Sequence, residues 1–274
     1  LSKKFLSGEW QMDQIALRRP DALDELNLTF RLGSGAVSLD TTGRTVSLAD
    51  GSEVHYDGLV IATGASCRRL PNLPNLSGIH ELRTLDDSVS LRADLVESTP
   101  PRRLVVIGAG FIGLEAAATA RRTYGCEVTV LEGLPAPLIR ALGEAMGNAV
   151  AAVHTDQGVD VRCGVQVAGI EGDGTRVTGV RLGSGDLVPA DVVLVGIGVV
   201  PNTGWLEQSG LVLRDGVVCD ATLNTGVPGV YAAGDLVRWP NGLFGEEMRV
   251  EHWTTASEQG AAAAANLLAV SRGE

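Results

Sequence analysis

The sequence predicts an α/β fold in which parallel strands alternate with helices and antiparallel hairpins are inserted between them. Two unbroken apolar runs, Leu104–Ile107 and Val192–Val195, have the composition of strands covered on both faces of a parallel sheet. A glycine-rich turn follows the first run, and then come a stretch that favours helix up to Arg122 and a second strand at Val128–Leu131. This strand–helix–strand order is typical of an α/β domain.

The composition indicates a folded chain of one or two domains and disfavours several classes of protein. With 274 residues, 45% of them hydrophobic, the chain has enough apolar side chains to form a core. The formal net charge of −11 disfavours a general nucleic-acid binder, which is usually basic. No apolar run is long enough to predict a membrane-spanning helix. The four cysteines are widely separated and form no CxxC pair, so we expect reduced thiols, no metal site and a cytoplasmic location.

The N-terminal part outside this strand–helix–strand unit has strand and turn signals. Short alternating runs over residues 30–61, broken at Asp50-Gly51, predict an antiparallel meander that ends in a buried strand at Gly58–Ile61. Residues 84–98 favour a helix, and the serine and proline residues of 98–101 predict a linker.

The C-terminal half adds a helix, hairpins and a final strand–turn–helix unit. A helix over residues 140–157 is predicted from apolar side chains at helical spacing, namely Leu142, Met146, Val150 and Val153. Glycines at two turns predict hairpins within residues 165–188. Thr255 and Glu258 have the spacing of a capping box, so we expect the last helix to begin near Thr255.

The strongest functional motif is a glycine fingerprint after the first buried strand. It comprises Gly108, Gly110 and Gly113, with Phe111 and Ile112 between the last two. The first glycine permits a tight turn, the second lets the backbone approach a pyrophosphate, and the third lets helix pack against strand. The next strand ends in Glu132, nineteen residues after the last glycine, where a carboxylate binds ribose hydroxyls and repels a 2′-phosphate. The motif therefore predicts a dinucleotide site that prefers NAD(H) to NADP(H).

Three further turns follow apolar strands, and each has a ligand-binding and a purely structural interpretation. They are Ala62-Thr63-Gly64, Gly196-Ile197-Gly198 and Gly234-Asp235. Small residues there let a ligand approach the backbone at the carboxyl edge of a sheet, but they also form plain loops. Asp235 either caps the next segment or accepts hydrogen bonds from a polyol. Glu115 either interacts favourably with the positive end of the helix dipole or points into a nucleotide cleft. Trp253 is either a core residue or a wall on which a ring system stacks.

Five segments in their order along the chain resemble the FAD-dependent pyridine nucleotide oxidoreductases. In sequence they are YDGLVIATGA, VVIGAGFIGLEAAATAR, LVGIGVVPNT, GVYAAGDL and RVEHWTTASEQG. Within that family the resemblance is to the ferredoxin, putidaredoxin and rubredoxin reductases, and it covers essentially the whole chain. It implies two nucleotide-binding domains of glutathione-reductase-like topology. Residues 1–98 and 220–274 would form an FAD domain, into which an NAD domain of residues 99–219 is inserted.

The resemblance also implies an activity and a role for each candidate residue. Electrons pass from NADH through FAD to a small iron–sulfur protein of the ferredoxin or rubredoxin type. The implied FAD contacts are Ala62, Thr63, Gly64, Gly234, Asp235 and Trp253. The implied NAD contacts are Gly108, Gly110, Phe111, Ile112, Gly113, Glu132 and Gly198. Lys3 is implied to lie near the flavin and to pair with Glu115 beside the nicotinamide, and these two are the candidate catalytic residues.

Two departures from the family pattern leave alternatives open. A second fingerprint, for the ADP half of FAD, and a C-terminal domain that covers the flavin have no counterpart in the 274 residues. We therefore expect an incomplete FAD domain, truncated at both ends, and weakened FAD binding. One alternative is a non-catalytic NAD-binding fragment. Another is a protein like apoptosis-inducing factor, which shares the fold and binds DNA, and which the net charge of −11 disfavours.

The implied partner raises the question of a docking surface. Ferredoxins are usually acidic, so a reductase needs a local basic patch. Candidate residues for that patch are Arg68, Arg69, Arg238 and Arg249. The alternative is that these arginines are scattered and solvated.

Overall fold

The chain forms two compact units, which are described separately. The computed structural model describes residues 1–18, 20–96 and 101–273. Unit 1 comprises Leu1–Leu26 and Cys67–Gly198, and unit 2 comprises Asn27–Ser66 and Val199–Glu274. The predicted domains 1–98, 99–219 and 220–274 were assigned by the cofactor that each segment is implied to bind. The division into compact units is based on contacts instead, so these domains stay a prediction. The predicted boundary at residue 98 and most of the predicted linker at 98–101 lie outside the described residues.

The secondary structure follows the α/β pattern predicted from the sequence. The strands are β1 (Ala36–Asp40), β2 (Thr45–Leu48), β3 (Glu53–His55), β4 (Leu59–Ile61), β5 (Ala65–Cys67), β6 (Ile79–His80), β7 (Arg103–Ile107), β8 (Glu127–Glu132), β9 (Val159–Cys163), β10 (Val167–Gly172), β11 (Val177–Leu182), β12 (Leu187–Pro189), β13 (Val192–Val195), β14 (Val199–Pro201), β15 (Val217–Val218), β16 (Val230–Ala232), β17 (Val237–Asn241) and β18 (Glu246–Met248). The helices are α1 (Pro20–Asp24), α2 (Leu85–Leu95), α3 (Phe111–Tyr124), α4 (Ile139–Asp156) and α5 (Trp253–Arg272), with 3-10 turns at Met12–Ile15 and Gly204–Leu206.

Unit 1 is built on a parallel sheet of five strands in the order β6-β13-β7-β8-β9. Ile107 at the end of β7 lies opposite Val195 of β13 and Leu131 of β8, so three strands reach the same edge together. All four residues of β13 and four of the five in β7 are buried, which confirms the prediction of covered strands. Helix α3 connects β7 to β8, and the hairpins of β10, β11 and β12 lie between β9 and β13 in sequence.

Helix α3 packs closely on this sheet because its buried face is made of small side chains. Ala116, Ala117 and Ala120 are fully buried on that face. The helix ends at Gly125, whose φ of 65° is a left-handed conformation that favours glycine. This packing fixes the direction in which the N-terminus of α3 points, at the end of β7.

The helix predicted over residues 140–157 is confirmed by α4, but three of its four apolar side chains at helical spacing do not reach the core. Leu142, Met146 and Val153 are exposed, and only Val150 of the four packs on the core. The helix is kinked at Gly143, with φ 74° and ψ 171°, so Leu142 does not continue the face of the later residues. The helix packs instead through Gly147, where a Cβ would lie 2.2 Å from the carbonyl oxygen of Pro137.

Unit 2 contains the three strands of the predicted meander, further short strands and the long helix α5. Strands β1, β2 and β3 form an antiparallel sheet, and Asp50-Gly51 lies in the turn between the last two, as predicted. The strand predicted at Gly58–Ile61 forms as β4, but its place in the antiparallel meander is wrong, because β4 pairs in parallel with β16, with Ile61 opposite Ala232. The alternation of apolar residues could not show this partner, which lies about 170 residues later in the sequence.

Helix α5 begins before the predicted capping box. Its N-cap is His252, whose Nδ1 accepts a hydrogen bond of 3.3 Å from the N–H of Thr254. Thr255 therefore lies inside the first turn, and the predicted helix start at this residue is wrong. The helix packs on β16 and β4 through residues that include Ala263, which is fully buried. Of the helices in the described residues, none has the length and hydrophobicity needed to span a bilayer.

Candidate nucleotide-binding turns

The three glycines of the fingerprint occupy positions with different steric requirements. Gly108 has φ 102°, and a Cβ there would lie 2.4 Å from the carbonyl oxygen of Gly196. A Cβ on Gly113 would lie 2.3 Å from the carbonyl oxygen of Gly108. At Gly110, by contrast, no atom lies within 4 Å of the Cβ position. The outer glycines are thus required by the protein itself, whereas the middle one leaves open space that suits a phosphate group.

The N-terminus of α3 faces this open space. Gly110 is its N-cap, so no side chain caps the N–H groups of the first turn. The first helical hydrogen bond runs from the N–H of Leu114 to the carbonyl oxygen of Gly110. Phe111 and Ile112 both expose their side chains. Uncapped N–H groups and the positive end of the helix dipole form an anion-binding arrangement.

Glu132 is bonded to the fingerprint loop in a way that the sequence did not reveal. Its Oε2 accepts a hydrogen bond of 2.7 Å from the N–H of Ala109, and its Oε1 accepts one of 2.9 Å from the N–H of Leu134. Each carboxylate oxygen can accept a second hydrogen bond. The carboxylate can therefore bind ribose hydroxyls while it holds the turn between Gly108 and Gly110 in place.

The turn after β13 lies beside the fingerprint. The N–H of Gly196 donates to the carbonyl oxygen of Ile107 at 2.8 Å, which brings the two turns together at one sheet edge. Gly198 is exposed, has φ 96°, and has no atom within 4 Å of its Cβ position. Gly196, which the sequence analysis did not single out as a contact, is the residue that meets Gly108.

Lys3 and Glu115 form the ion pair that the resemblance implied. Lys3 Nζ donates to Glu115 Oε1 at 2.9 Å, and the Oγ of Ser2 donates to Glu115 Oε2 at 2.5 Å. Thr119, one turn further along α3, donates from Oγ1 to the carbonyl oxygen of Ser2 at 2.9 Å. The carboxylate therefore ties the N-terminal segment to α3, and Ser2 is a partner that the sequence analysis missed.

In unit 2, the structure brings two of the predicted turns side by side. Ala62-Thr63-Gly64 follows β4 and Gly234-Asp235 follows β16, and these strands are parallel neighbours. The N–H of Ala233 donates to the carbonyl oxygen of Ile61 at 2.9 Å. Both turns are thus at the carboxyl edge of one parallel pair, where open α/β sheets bind ligands.

Each of these two turns is held by side chains from later in the sequence. Asn202 donates from Nδ2 to the carbonyl oxygen of Thr63 at 2.8 Å, and the Thr63 hydroxyl donates to the carbonyl oxygen of Asn202 at 3.0 Å. Gln259 accepts a hydrogen bond from the N–H of Gly234. Arg249 donates to the carbonyl oxygen of Asp235. These holding residues were not predicted, because nothing in their spacing marks them.

The residues at the two turns of unit 2 fit a nucleotide that carries a polyol chain. Asp235 is half-buried at the end of its strand, and Ala62 and Thr63 are exposed. Beside the Gly234-Asp235 turn, two buried donors, the Nε2 of Gln259 and the Nε of Arg249, have no hydrogen-bond partner among the described residues. Trp253, the first residue of α5, is 69% exposed, so it is not a core residue.

The predicted basic patch is not supported by the ion pairs of its members. Arg69 pairs with Glu81, and Arg238 pairs with Glu247 at 2.7 Å. Arg249 pairs with both Asp215 and Glu251, and its side chain is only 11% exposed. Arg68 also has an interaction partner. Arg69, Arg238 and Arg249 thus have acidic neighbours and do not form an unopposed basic surface, although the side chain of Arg69 is largely exposed.

The cysteines do not form a redox pair. All four are free, and Cys126 and Cys219 are buried. Burial raises the pKa of the Cys219 thiol to about 12, so this group stays protonated at neutral pH. Within the described ranges, no group of three or more histidine, cysteine or acidic residues could hold a metal ion.

Two surface concavities lie in the described part of the chain. One of about 790 Å³ in unit 1 is lined by residues that include Leu73, His80 and Ser90. The other, of about 460 Å³ in unit 2, is lined by residues that include Trp239 and Phe244. Neither is lined by a predicted nucleotide contact, although the second is lined by Gln259, which accepts the hydrogen bond from the Gly234 N–H.

Known proteins with reductase names align with almost the whole chain. Rhodocoxin reductase of Rhodococcus erythropolis is 38% identical over 273 residues, which cover 99% of this chain and 63% of that protein. Putidaredoxin reductase of Pseudomonas putida is 36% identical over 265 residues, covering 94% and 62%. Rubredoxin-NAD(+) reductase of Pseudomonas putida is 36% identical over 252 residues, covering 92% and 64%. The chain therefore spans less than two thirds of the length of these relatives.

Solved structures and a family profile agree with these relatives. Putidaredoxin reductase, in its covalent complex with putidaredoxin, superposes with a TM-score of 0.92 at 34% identity, over 97% of this chain and 64% of that one. A ferredoxin reductase from Rhodopseudomonas palustris superposes with a TM-score of 0.89 at 36% identity, over 97% and 65%. These superpositions confirm the predicted α/β fold. The profile described as pyridine nucleotide-disulphide oxidoreductase matches residues 1–260, and the chain therefore belongs to that family.

Proposed function

We propose that this protein is an NADH-dependent flavoprotein reductase that passes electrons through FAD to a small iron–sulfur protein of the ferredoxin or rubredoxin type. The names of its relatives, which include rhodocoxin, putidaredoxin and rubredoxin reductases, support the reaction class. The observation that carries the proposal is the presence of two nucleotide turns of different chemistry. One turn would offer uncapped N–H groups to phosphates, and the other, which contains Asp235, would offer a carboxylate to a polyol.

The proposed NADH site is the fingerprint turn of unit 1. The N–H groups at the start of α3 would bind the pyrophosphate, with Gly110 giving it access and Phe111 and Ile112 at its side. Glu132 would accept hydrogen bonds from the adenosine ribose, and its negative charge would repel a 2′-phosphate. Gly198 would contribute main-chain contacts from the neighbouring strand end. We therefore propose a preference for NADH over NADPH.

The proposed FAD site is the pair of turns in unit 2. Asp235 would accept hydrogen bonds from the ribityl hydroxyls, while Ala62, Thr63 and Gly64 line the cofactor and Trp253 lies against the ring system. Gly234 gives the backbone the left-handed φ of 86° that this turn needs. Helix α5 begins at Trp253, and the positive end of its dipole would stabilise negative charge on the bound cofactor. This effect reaches about 2 kcal/mol where the charge is partly buried. FAD, when bound, accepts a hydride and releases its electrons one at a time.

Lys3 and Glu115 are the proposed catalytic residues beside the nicotinamide. Their 2.9 Å ion pair fixes the lysine ammonium group, and the hydrogen bond from Ser2 fixes the carboxylate. Neither side chain is a nucleophile in this proposal. The pair would orient the nicotinamide and hold a fixed charge near it.

The electron-accepting partner and the cellular location of the protein are proposed only as general classes. The iron–sulfur partner follows from the relatives' names, and the ion-paired arginines leave its docking surface unassigned. Four free cysteines agree with a reducing compartment, so we propose a cytoplasmic location.

A visible absorption spectrum tests the proposed function. We expect a flavin band in the protein reconstituted with FAD, bleached by anaerobic NADH and about tenfold less readily by NADPH at equal concentration. Reoxidation by an added ferredoxin or rubredoxin would support the partner class. A protein that binds NADH but retains no flavin would contradict the proposal and favour the non-catalytic NAD-binding alternative.

A further inference from the structure

Two buried side chains fix the main chain on either side of Asp235. Gln259 of α5 is 7% exposed, and its Oε1 accepts a hydrogen bond of 2.9 Å from the N–H of Gly234. Arg249 donates from Nη1 to the carbonyl oxygen of Asp235 at 3.0 Å. One contact therefore holds the peptide group before the Gly234-Asp235 turn, and the other holds the peptide group after it.

The turn needs such support because a glycine lies at its centre. Gly234 has φ 86°, and its Cβ position lies 3.5 Å from the Cβ of Ala256 in the first turn of α5. Glycine adopts many conformations at similar cost, so it does not select this one by itself. A buried acceptor for its N–H does select it, and Gln259 is that acceptor.

Arg249 is itself held in a fixed position. Its Nη2 pairs with Asp215 at 3.3 Å, and its Nη1 also bonds Glu251 at 2.7 Å. A guanidinium group can make these contacts together because its donors form a rigid planar fork. A lysine ammonium carries its three donors on one nitrogen, so it cannot reproduce contacts that Arg249 shares between Nη1 and Nη2.

Each holding residue also keeps one buried donor without a partner. The atoms are the Nε2 of Gln259 and the Nε of Arg249, and neither has a hydrogen-bond acceptor among the described residues. Buried donors in folded proteins are nearly always paired, so an exception calls for a specific explanation. Here two exceptions lie beside the same turn.

We propose that Gln259 and Arg249 are positioning residues for the flavin-binding turn, which they hold so that the Asp235 carboxylate is oriented toward the ribityl hydroxyls of FAD. The inference rests on the proposed function, because it takes FAD as the ligand of Asp235. It goes beyond that function by assigning the orientation of the carboxylate to two residues that need not touch the cofactor.

The first test compares FAD affinity among variants of Gln259, measured by quenching of flavin fluorescence in the full chain. Gln259→Met keeps the volume and removes the acceptor, whereas Gln259→Glu keeps an acceptor for the Gly234 N–H. We expect Gln259→Met to raise the Kd for FAD about tenfold and Gln259→Glu to stay within about threefold of wild type. The NADH affinity of both variants should equal that of wild type. Glu258→Gln, an exposed neighbour on α5, is the matched control and should change neither affinity.

The second test follows the Gly234 amide directly, without flavin, by hydrogen exchange. Gln259→Met should accelerate exchange of this amide at least about tenfold relative to wild type. Unchanged exchange would overturn the inference, because the N–H would then not depend on Gln259. Faster exchange with an unchanged Kd for FAD would overturn it as well.

Arg249→Lys provides a second route if the Gln259 variants do not fold. It keeps the positive charge but loses the planar fork, so we expect weaker FAD binding with unchanged NADH binding. FAD binding equal to wild type would count against a role for Arg249. Failure of the proposed function looks different, because wild type itself would then bind no FAD, and the inference would fall with it whatever the exchange rate of Gly234.

Discussion

The two units hold their candidate nucleotide turns by different physical means. In unit 1 the turn is fixed by main-chain contact, since side chains on Gly108 or Gly113 would overlap carbonyl oxygens. In unit 2 the turn is fixed by Gln259 and Arg249, side chains that lie 25 and 14 residues away in sequence from the groups they bind. A turn of the first kind tolerates no side chain at the glycines that make these contacts, Gly108 and Gly113. A turn of the second kind is vulnerable at positions far from it.

This difference in how the two turns are held also explains which of them can be predicted from the sequence. Steric exclusion leaves glycines at fixed spacing, and that spacing can be read directly. Hydrogen bonds from distant side chains leave no local pattern, because a glutamine on an amphipathic helix has many possible roles. The sequence therefore identifies the first turn from three residues, whereas it identifies the second only through resemblance to a family.

The largest effect should follow a side chain at Gly113. A Cβ there would meet the carbonyl oxygen of Gly108 at 2.3 Å and the Cγ1 of Val106 at 3.2 Å. We expect Gly113→Val to lower the free energy of unfolding by about 3 kcal/mol or more, since overpacking and backbone displacement add. Urea denaturation followed by circular dichroism measures this loss.

Gly110→Ala is the matched control for that prediction. Its Cβ position has no atom within 4 Å, so the change should cost less than about 1 kcal/mol of stability. Equal losses at the two positions would show that the fingerprint is not held by main-chain contact.

An intermediate loss of stability is expected when Asp191, which links β13 to β7, is replaced. It accepts two hydrogen bonds from the Arg103 guanidinium, at 3.0 and 2.6 Å, and one from the Arg103 N–H at 2.9 Å. These bonds, those of the guanidinium first, hold the pKa of Asp191 below its ordinary value of 3.8. We expect Asp191→Asn to cost about 1–2 kcal/mol at neutral pH, because a charge-assisted interaction is lost.

The pH dependence of that loss follows from the direction of the shift. A carboxyl whose pKa is lowered on folding contributes stability above its unfolded pKa and loses it as the pH falls through the folded pKa. The difference between wild type and Asp191→Asn should therefore be constant at neutral pH and shrink once the pH falls below about 4. A difference that grows toward acid pH would contradict this account of the ion pair.

The smallest stability effect should come from Lys3. Its ammonium group is exposed to solvent, and exposed ion pairs contribute less than about 1 kcal/mol. Lys3→Ala should thus leave the thermal unfolding transition nearly unchanged, while slowing reduction of the flavin by NADH if Lys3 has its proposed catalytic role. Ser2→Ala, which removes the other partner of Glu115, is the control for damage to the N-terminal segment. Loss of stability without loss of rate would contradict the proposed role.

The sequence predicted local features well and long-range ones poorly, for a common physical reason. The strands Leu104–Ile107 and Val192–Val195 were correct because burial on both faces demands an unbroken apolar run. The start of α5 was wrong because the side chain of His252 caps it, and the cap of Thr255 and Glu258 is not formed. The helix over residues 140–157 was correct, but the spacing of its apolar residues did not show that it packs through Gly147.

The pairing of charged side chains was the other feature that could not be predicted from the sequence. Arg238 and Arg249 were taken as candidates for a basic patch, yet both contact Asp215, and Arg238 also pairs with Glu247 of β18. Net charge constrains the class of partner, but only the fold shows which charges are already matched.

The most direct test of the account is a pair of binding titrations on two variants, one from each unit. Gly110→Val puts a side chain into the space proposed for the pyrophosphate, and Asp235→Ala removes the proposed ribityl acceptor. We predict that Gly110→Val raises the Kd for NADH at least about tenfold and leaves the Kd for FAD unchanged, and that Asp235→Ala does the reverse. If both variants weakened both nucleotides equally, or neither variant weakened either nucleotide, the assignment of one nucleotide to each unit would be wrong.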